Sequence, residues 1–298
     1  MKALVLALAL SLLALPAAAD TRGSISESFT AGSGPYIGNS LSAGISPGPV
    51  DLDAGYDFGS DQDLVLYHSI WGSFGYWPVN GFRILIDGEF GPRTSTNSTD
   101  RGFFSFESRG FGGSLLWHPG HSGEVRPYLE VGGSIDRYEI QQSDPTAPGT
   151  AAVGANFDQS AVRGTIGVDV LDTQLRLGGA KYFYSEDAGA LSLPPGVGSG
   201  PSGIGAITGA LPTRAQSWNI RGSVRQRFGE GGSSDVLVSA SYGSYVDGEG
   251  EIVAASLRLG HDLTKQWNAH IGVTAQSDNV EGDSRFGVFG NAGVTFKF

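Results

Sequence analysis

Cysteine is absent from this chain, so no disulfide can staple it and stability has to come from hydrogen bonding and packing. Lysine is almost as scarce, occurring only as Lys2, Lys181, Lys265 and Lys297. The 19 basic residues face 30 acidic ones, a net charge of −11. Nucleic acid recognition needs a basic footprint, so that partner is excluded. Beyond residue 19 no apolar run approaches the roughly 18–20 residues of a membrane-spanning helix. What the chain has in abundance is glycine, 47 residues of it. That content suits neither a helical protein nor a typical soluble enzyme, and regular alternation through most of the chain argues against disorder.

The first residues read as a secretory leader. Lys2 supplies the positive start, Ala3 to Leu15 is an apolar stretch too short to cross a bilayer, and Pro16 ends it. Ala17-Ala18-Ala19 offers a small-residue cleavage site, so residues 1–19 are expected to be removed after Ala19. Lys2 goes with them, which takes the net charge to −12.

The remainder alternates with a period of two. Trp267, Ala269, Ile271, Val273 and Ala275 interleave with Asn268, His270, Gly272, Thr274 and Gln276. Val236, Val238, Ala240 and Tyr242 behave in the same way, as do Val253, Ala255, Leu257 and Leu259. Successive side chains of a strand point to opposite faces, so each run has one apolar and one polar face. A soluble sandwich would show the same alternation. The end of the chain is more specific: Phe286 to Phe298 places Val294, Phe296 and Phe298 on one face and finishes on Phe. This resembles the terminal strand of bacterial outer-membrane β-barrel proteins. The resemblance implies a porin-like barrel, with those three residues as the signal read by the barrel-assembly machinery.

Strands are placed near 50–58, 64–77, 82–91, 103–117, 125–138, 160–171, 173–184, 214–228, 235–246, 252–262, 265–276 and 285–298. If the last strand ends in the periplasm, the outer connections are 59–63, 92–102, 139–159, 185–213, 247–251 and 277–284. These include all the long ones, whereas the opposite set is mostly tight, as is usual for outer-membrane barrels. Trp77, Phe82, Trp117, Tyr128, Phe228, Trp267 and Phe298 then read as a periplasmic aromatic girdle. Tyr138, Tyr182, Tyr184, Trp218, Tyr242, Tyr245 and Phe286 read as the outer one. The expected fold is therefore all-β: a closed antiparallel transmembrane barrel spanning 49–298, of about 12 strands, with 10–14 open. The Gly/Ser-rich segment 20–48 either adds a hairpin through Ser24 to Ala31 and Ile37 to Ile45, or lies in the lumen.

Catalytic chemistry finds little support. A barrel hydrolase needs a Ser–His pair oriented by a third polar group. His68-Ser69 is the only adjacent pair, and strand neighbours point apart. His118-Pro-Gly-His121 and Asp247-Gly-Glu249-Gly-Glu251 read as solvated turns rather than metal sites. The sequence points to no cofactor, no metal and no enzymatic activity.

Two functions stay open, both at the cell outer membrane among lipid and lipopolysaccharide. One is porin-like passage of small solutes or a structural role. The other is an accessory barrel for export, adhesion or envelope assembly. The stretch from Gly55 to Gly91, with its Gly-Tyr-Asp-Phe opening and Gly81-Phe82-Arg83, faintly resembles the accessory barrels of bacterial cellulose synthesis. Strand phase puts Arg137 and Lys181 on the lipid side near the outer rim. It points Arg163, Arg176, Arg221, Arg225, Arg227 and Arg258 into the lumen from one side. Asp87, Glu89, Glu107, Glu130 and Asp136 are expected on the other, with Arg83 and Arg109 among them.

Overall fold

The computed structural model describes residues 21–32, 36–60, 67–98, 102–120, 125–142, 153–185, 192–193, 213–246, 248, 250–280 and 283–298. The expected leader lies outside them. The strands are β1 (Thr21–Gly32), β2 (Ile37–Pro47), β3 (Val50–Ser60), β4 (Tyr67–Val79) and β5 (Phe82–Ser98). β6 (Gly102–Trp117), β7 (Val125–Gln142), β8 (Val153–Val170) and β9 (Thr173–Tyr184) follow. After a short pair, β10 (Ser192–Leu193) with β11 (Thr213–Arg214), come β12 (Gln216–Phe228), β13 (Ser234–Tyr245), β14 (Gly250–Asp262), β15 (Trp267–Val280) and β16 (Asp283–Lys297).

All but β10 and β11 form one closed antiparallel barrel of 14 strands, each hydrogen-bonded to its sequence neighbour, with β9 joined to β12 and β1 to β16. The count exceeds the expected 12 because the N-terminal segment builds the hairpin β1–β2 into the wall. Several strands also run on into stretches expected as outer connections: β5 reaches Ser98, β7 reaches Gln142 and β8 starts at Val153. Connections sort by parity. At the end bearing Phe298 lie turns such as Gly48-Pro49, Asn80-Gly81 and Leu171-Asp172, and Tyr184 of β9 and Gln216 of β12 lie at the other end.

The wall is inverted relative to a soluble protein. Phe111, Ile135, Ile166, Ile271 and Phe286 are each about 60 % exposed or more on the outside, whereas Ser69, Asp169, Gln276 and Asp278 are buried on the inside. Left in water, each such Ile or Phe forfeits about 1.5–3 kcal/mol of burial. A continuous apolar exterior of this extent belongs in lipid. Lipid also dictates closure, since an open sheet edge would leave unpaired N–H and C=O groups in hydrocarbon.

The seam is β1 on β16, running from Ser24 opposite Lys297 to Gly32 opposite Phe289. It is finished by the last residue. Gly23 N donates to Phe298 O (2.9 Å) and Phe298 N donates to Gly23 O (3.0 Å). Outside, Trp267, Phe296 and Phe298 form a ring series with centroids 4.9 and 6.1 Å apart. Deleting Phe298 removes both hydrogen bonds and the outermost ring. The truncated protein is expected to lose heat-modifiable migration in the outer-membrane fraction, and normal migration would show that the seam closes without it.

Candidate functional site

The inner face divides by side-chain size. From β1 and β2 it presents Ser24, Ser26, Ser28 and Thr30 beside Gly38, Ser40, Ser42 and Gly44, with Ser28 opposite Ser40 and Ser26 opposite Ser42. From β3 to β9 it presents Trp71, Trp77, Arg83, Leu85, Tyr128, Arg163 and Arg176. Alternation places both sets, since the outward rows are mostly apolar and the intervening residues face in.

Carboxylates dominate the inner face of β3–β7. Asp51 accepts from Trp77 Nε1 (2.7 Å) and pairs with Arg83 (3.1 Å). Asp57 accepts from Trp71 Nε1 (2.8 Å), and Asp53 from Ser73 (3.3 Å). Glu89 accepts from Ser69 (2.5 Å), and Asp136 from Ser134 (3.0 Å). Glu130 accepts from Ser114 (2.8 Å) and Tyr128 (2.7 Å). With Asp87 these are seven acids against Arg83 and Arg126 among the described residues.

Guanidinium groups dominate β8–β14. The Arg163 side chain is only 8 % exposed, and its nearest acid is Asp87, 3.9 Å away and three strands along the wall. Nε and Nη2 of Arg163 have no hydrogen-bond partner. Arg176 pairs with Asp169 (2.5 Å) and lies 4.1 Å over the Tyr128 ring, a cation–π contact. Asp169, 2 % exposed, also meets His118 (3.0 Å) and Arg126 (3.5 Å). Arg225 grips Asp235 with a two-pronged fork (3.1 and 3.0 Å), and Arg258 approaches the same carboxylate at 3.6 Å. Arg221 faces inward from the middle of β12, and Arg227 lies at its end opposite Asp235.

Glu107 is a correction. It lies in the outward row of β6 with Phe111, Leu115 and Trp117, and Arg109 lies beside it. β6 outruns the apolar band, so its upper outward positions can hold charge without facing the lumen. There Glu107 pairs with Arg109 (2.5 Å) and Arg93 (3.3 Å), and Arg93 with Glu139 (2.6 Å). Arg137 and Lys181 are exposed in outward rows, beside Ile135 and between Leu177 and Phe183 respectively.

The girdle assignments need a second correction. Trp117, Phe228, Trp267, Tyr242 and Phe286 are exposed on the outside, but Trp77, Tyr128, Tyr138, Tyr182, Tyr184 and Tyr245 face inward. Phe106, Tyr138, Phe157 and Tyr184 form a ring series across β6–β9 with centroids 6.0, 5.1 and 6.1 Å apart. Their parity with Asp136 and Arg163 was the available signal. The carboxylates Asp51, Asp53, Asp57, Asp169 and Asp235 were also missed, although Asp51-Leu-Asp-Ala-Gly-Tyr-Asp57 carries the first three at even spacing.

Among the described residues no cluster of three metal-ligating side chains occurs. His68 faces outward, hydrogen-bonded to Tyr56, while Ser69 faces inward onto Glu89. His118 is held by Asp169, and Glu251 accepts from Tyr242 (2.8 Å). His121, Asp247 and Glu249 lie outside the described residues.

No family model and no curated protein matches the chain. Among solved structures it is similar to the CymD monoaromatic hydrocarbon channel, with a TM-score of 0.51 and 8 % identity over 93 % of this chain and 88 % of that one. CdiB from Acinetobacter baumannii gives 0.49 and 10 % identity, covering 93 % and 60 %. The KdgM porin gives 0.41 and 12 % identity, covering 92 % and 99 %. The similarity to CymD establishes a shared barrel fold; solute and mechanism have to be argued from the lumen itself.

Asp235 is the counter-ion of two arginines. Asp235→Asn leaves both guanidiniums facing each other across β13, and since each is about a third exposed the loss is expected to be about 1–2 kcal/mol. Urea unfolding in lipid vesicles measures it. An unchanged midpoint would show that solvent already screens the trio.

Proposed function

We propose that this barrel sits in a bacterial outer membrane and passes small polar solutes without transforming them. The observation that supports this best is the inverted wall: a closed apolar cylinder around an interior of ion pairs and hydroxyls, in which a polar cavity of about 250 Å³ remains beside the β1–β2 hairpin. A purely structural barrel has no need of a hydroxyl-lined void. Segregated acidic and basic walls set up a transverse field that biases charged permeants. Arginine suits such a wall because its charge persists in any surroundings. The outward ions fit the same placement. Arg93, Arg109, Arg137 and Lys181 would meet lipopolysaccharide phosphates, and the row Val294, Phe296 and Phe298 would be read by the assembly machinery.

The inward ring series favours a second reading, in which the solute is aromatic and weakly polar, as the name monoaromatic hydrocarbon channel says of CymD. Planar bilayers separate the two. Purified protein in KCl is expected to give discrete conductance steps, and Arg163→Glu with Arg221→Glu is expected to move the reversal potential toward cation selectivity. Absence of conductance, together with toluene-dependent uptake by vesicles, would overturn the polar reading in favour of the aromatic one.

A further inference from the structure

The void beside the β1–β2 hairpin is built from two unlike halves. One is the square of serine hydroxyls, Ser26, Ser28, Ser40 and Ser42, extended by Thr295, whose Oγ1 lies 2.9 Å from Ser26 Oγ. The other is charged: Arg225, Asp235 and Arg258, with His270 and Asn268 next to them. Arg225 closes its fork on both oxygens of Asp235. That leaves Arg258 with only a 3.6 Å approach to the same carboxylate and with a buried Nε that has no hydrogen-bond partner. Glu27 also borders the void, but it lies in the outward row of β1, where its carboxylate accepts from Asn39. Among the side chains that face inward, two guanidiniums and one carboxylate leave a surplus of one positive charge, held at Arg258.

Two glycines keep the space clear. A Cβ at residue 260 would lie 2.7 Å from Asp235 Oδ2, and one at residue 293 would lie 2.4 Å from His270 Cε1. Both side chains can therefore lie back against the wall.

From this geometry we infer a binding site for a small hydroxylated monocarboxylate, a sugar acid or hydroxy acid. Its carboxylate is held by Arg258 and its hydroxyls by the serine square. A single negative charge matches the surplus. Serine hydroxyls both donate and accept, as a polyol's hydroxyls do. The cavity's 250 Å³ falls short of the roughly 300–1,000 Å³ of drug-sized ligand sites, which restricts the solute to a monomer. The inference deepens the polar-passage reading and rests on it for how the solute reaches the lumen.

The test is calorimetric titration of the folded, detergent-solubilised protein at fixed ionic strength with gluconate, glucose and acetate. Gluconate is expected to bind at least tenfold more tightly than either of the others. Arg258→Gln should weaken gluconate about tenfold or more, and the double variant Ser28→Ala, Ser42→Ala should bring the gluconate-to-acetate ratio toward one. Heat-modifiable migration confirms that each variant is folded. Acetate binding as tightly as gluconate, no gluconate binding, or an unaffected Arg258→Gln protein would each overturn the site. Because binding is read without current, the readings fail separately: a conducting barrel that ignores gluconate refutes the site alone, and a non-conducting one that binds it refutes passage alone.

Discussion

Every peptide group in a bilayer has to find its hydrogen-bond partner within the protein, and the architecture follows from that requirement. A sheet meets it only by closing, and here closure falls to the first and last strands. The seam joins a hairpin of Ser and Gly to a strand rich in Phe and Gly. Its register runs from Ser24–Lys297 to Gly32–Phe289, so the sheet cannot seal until β16 has paired with β1. Once the ladder is closed, side chains need not hold the wall together. The interior is then free to carry charge, aromatic rings or empty space.

That freedom explains what could be read in the sequence and what could not. The lipid face is under a single demand, apolarity, and the period-two rows from Val236 to Tyr242 and from Trp267 to Ala275 satisfy it visibly. The same demand made Val294, Phe296 and Phe298 legible as one row. The β1–β2 hairpin was ambiguous because its inner row is serine and glycine, which read equally well as linker. Glu107 was misplaced because charge was taken to mean lumen, a rule that fails where a strand rises past the hydrocarbon. Tyr138, Tyr182, Tyr184 and Tyr245 were misplaced for the converse reason: a tyrosine near a strand end suits an interface belt as well as a buried lumenal ring. Leu171 could not have been foreseen in the left-handed region (φ 51°), since nothing about leucine favours it.

The distribution of charge around the wall is uneven in a particular way. Acids on β3–β7 are mostly answered by hydroxyl, indole and phenol donors rather than by cations of their own. Arginines on β8–β14 share too few acids: Asp235 serves two, and Asp169 serves Arg176 together with Arg126 and His118. The acidic wall is therefore solvated by dipoles, and the basic wall is only partly paired with ions. Full pairing across the lumen would have cancelled the field, and the bridge from Arg163 on the basic wall to Asp87 on the acidic one is a long 3.9 Å.

Side-chain volume then decides where that field can act. A barrel of 14 strands lies between those filled by their own side chains and those that enclose a water-filled channel. On β3–β9 the indoles, phenols and guanidiniums reach inward and occupy the interior, burying Arg163, Phe106 and Tyr138. On β1 and β2 nothing longer than a serine or threonine does so at Ser24 to Thr30 and Gly38 to Gly44. The void consequently lies off the axis, against the hairpin, and its far side is the under-neutralised arginine wall rather than the acidic one. A polar solute entering it meets hydroxyls on one flank and net positive charge on the other. The residues that seal the sheet are thus also the ones that leave room inside it, which ties the small side chains of the seam to both closure and the void.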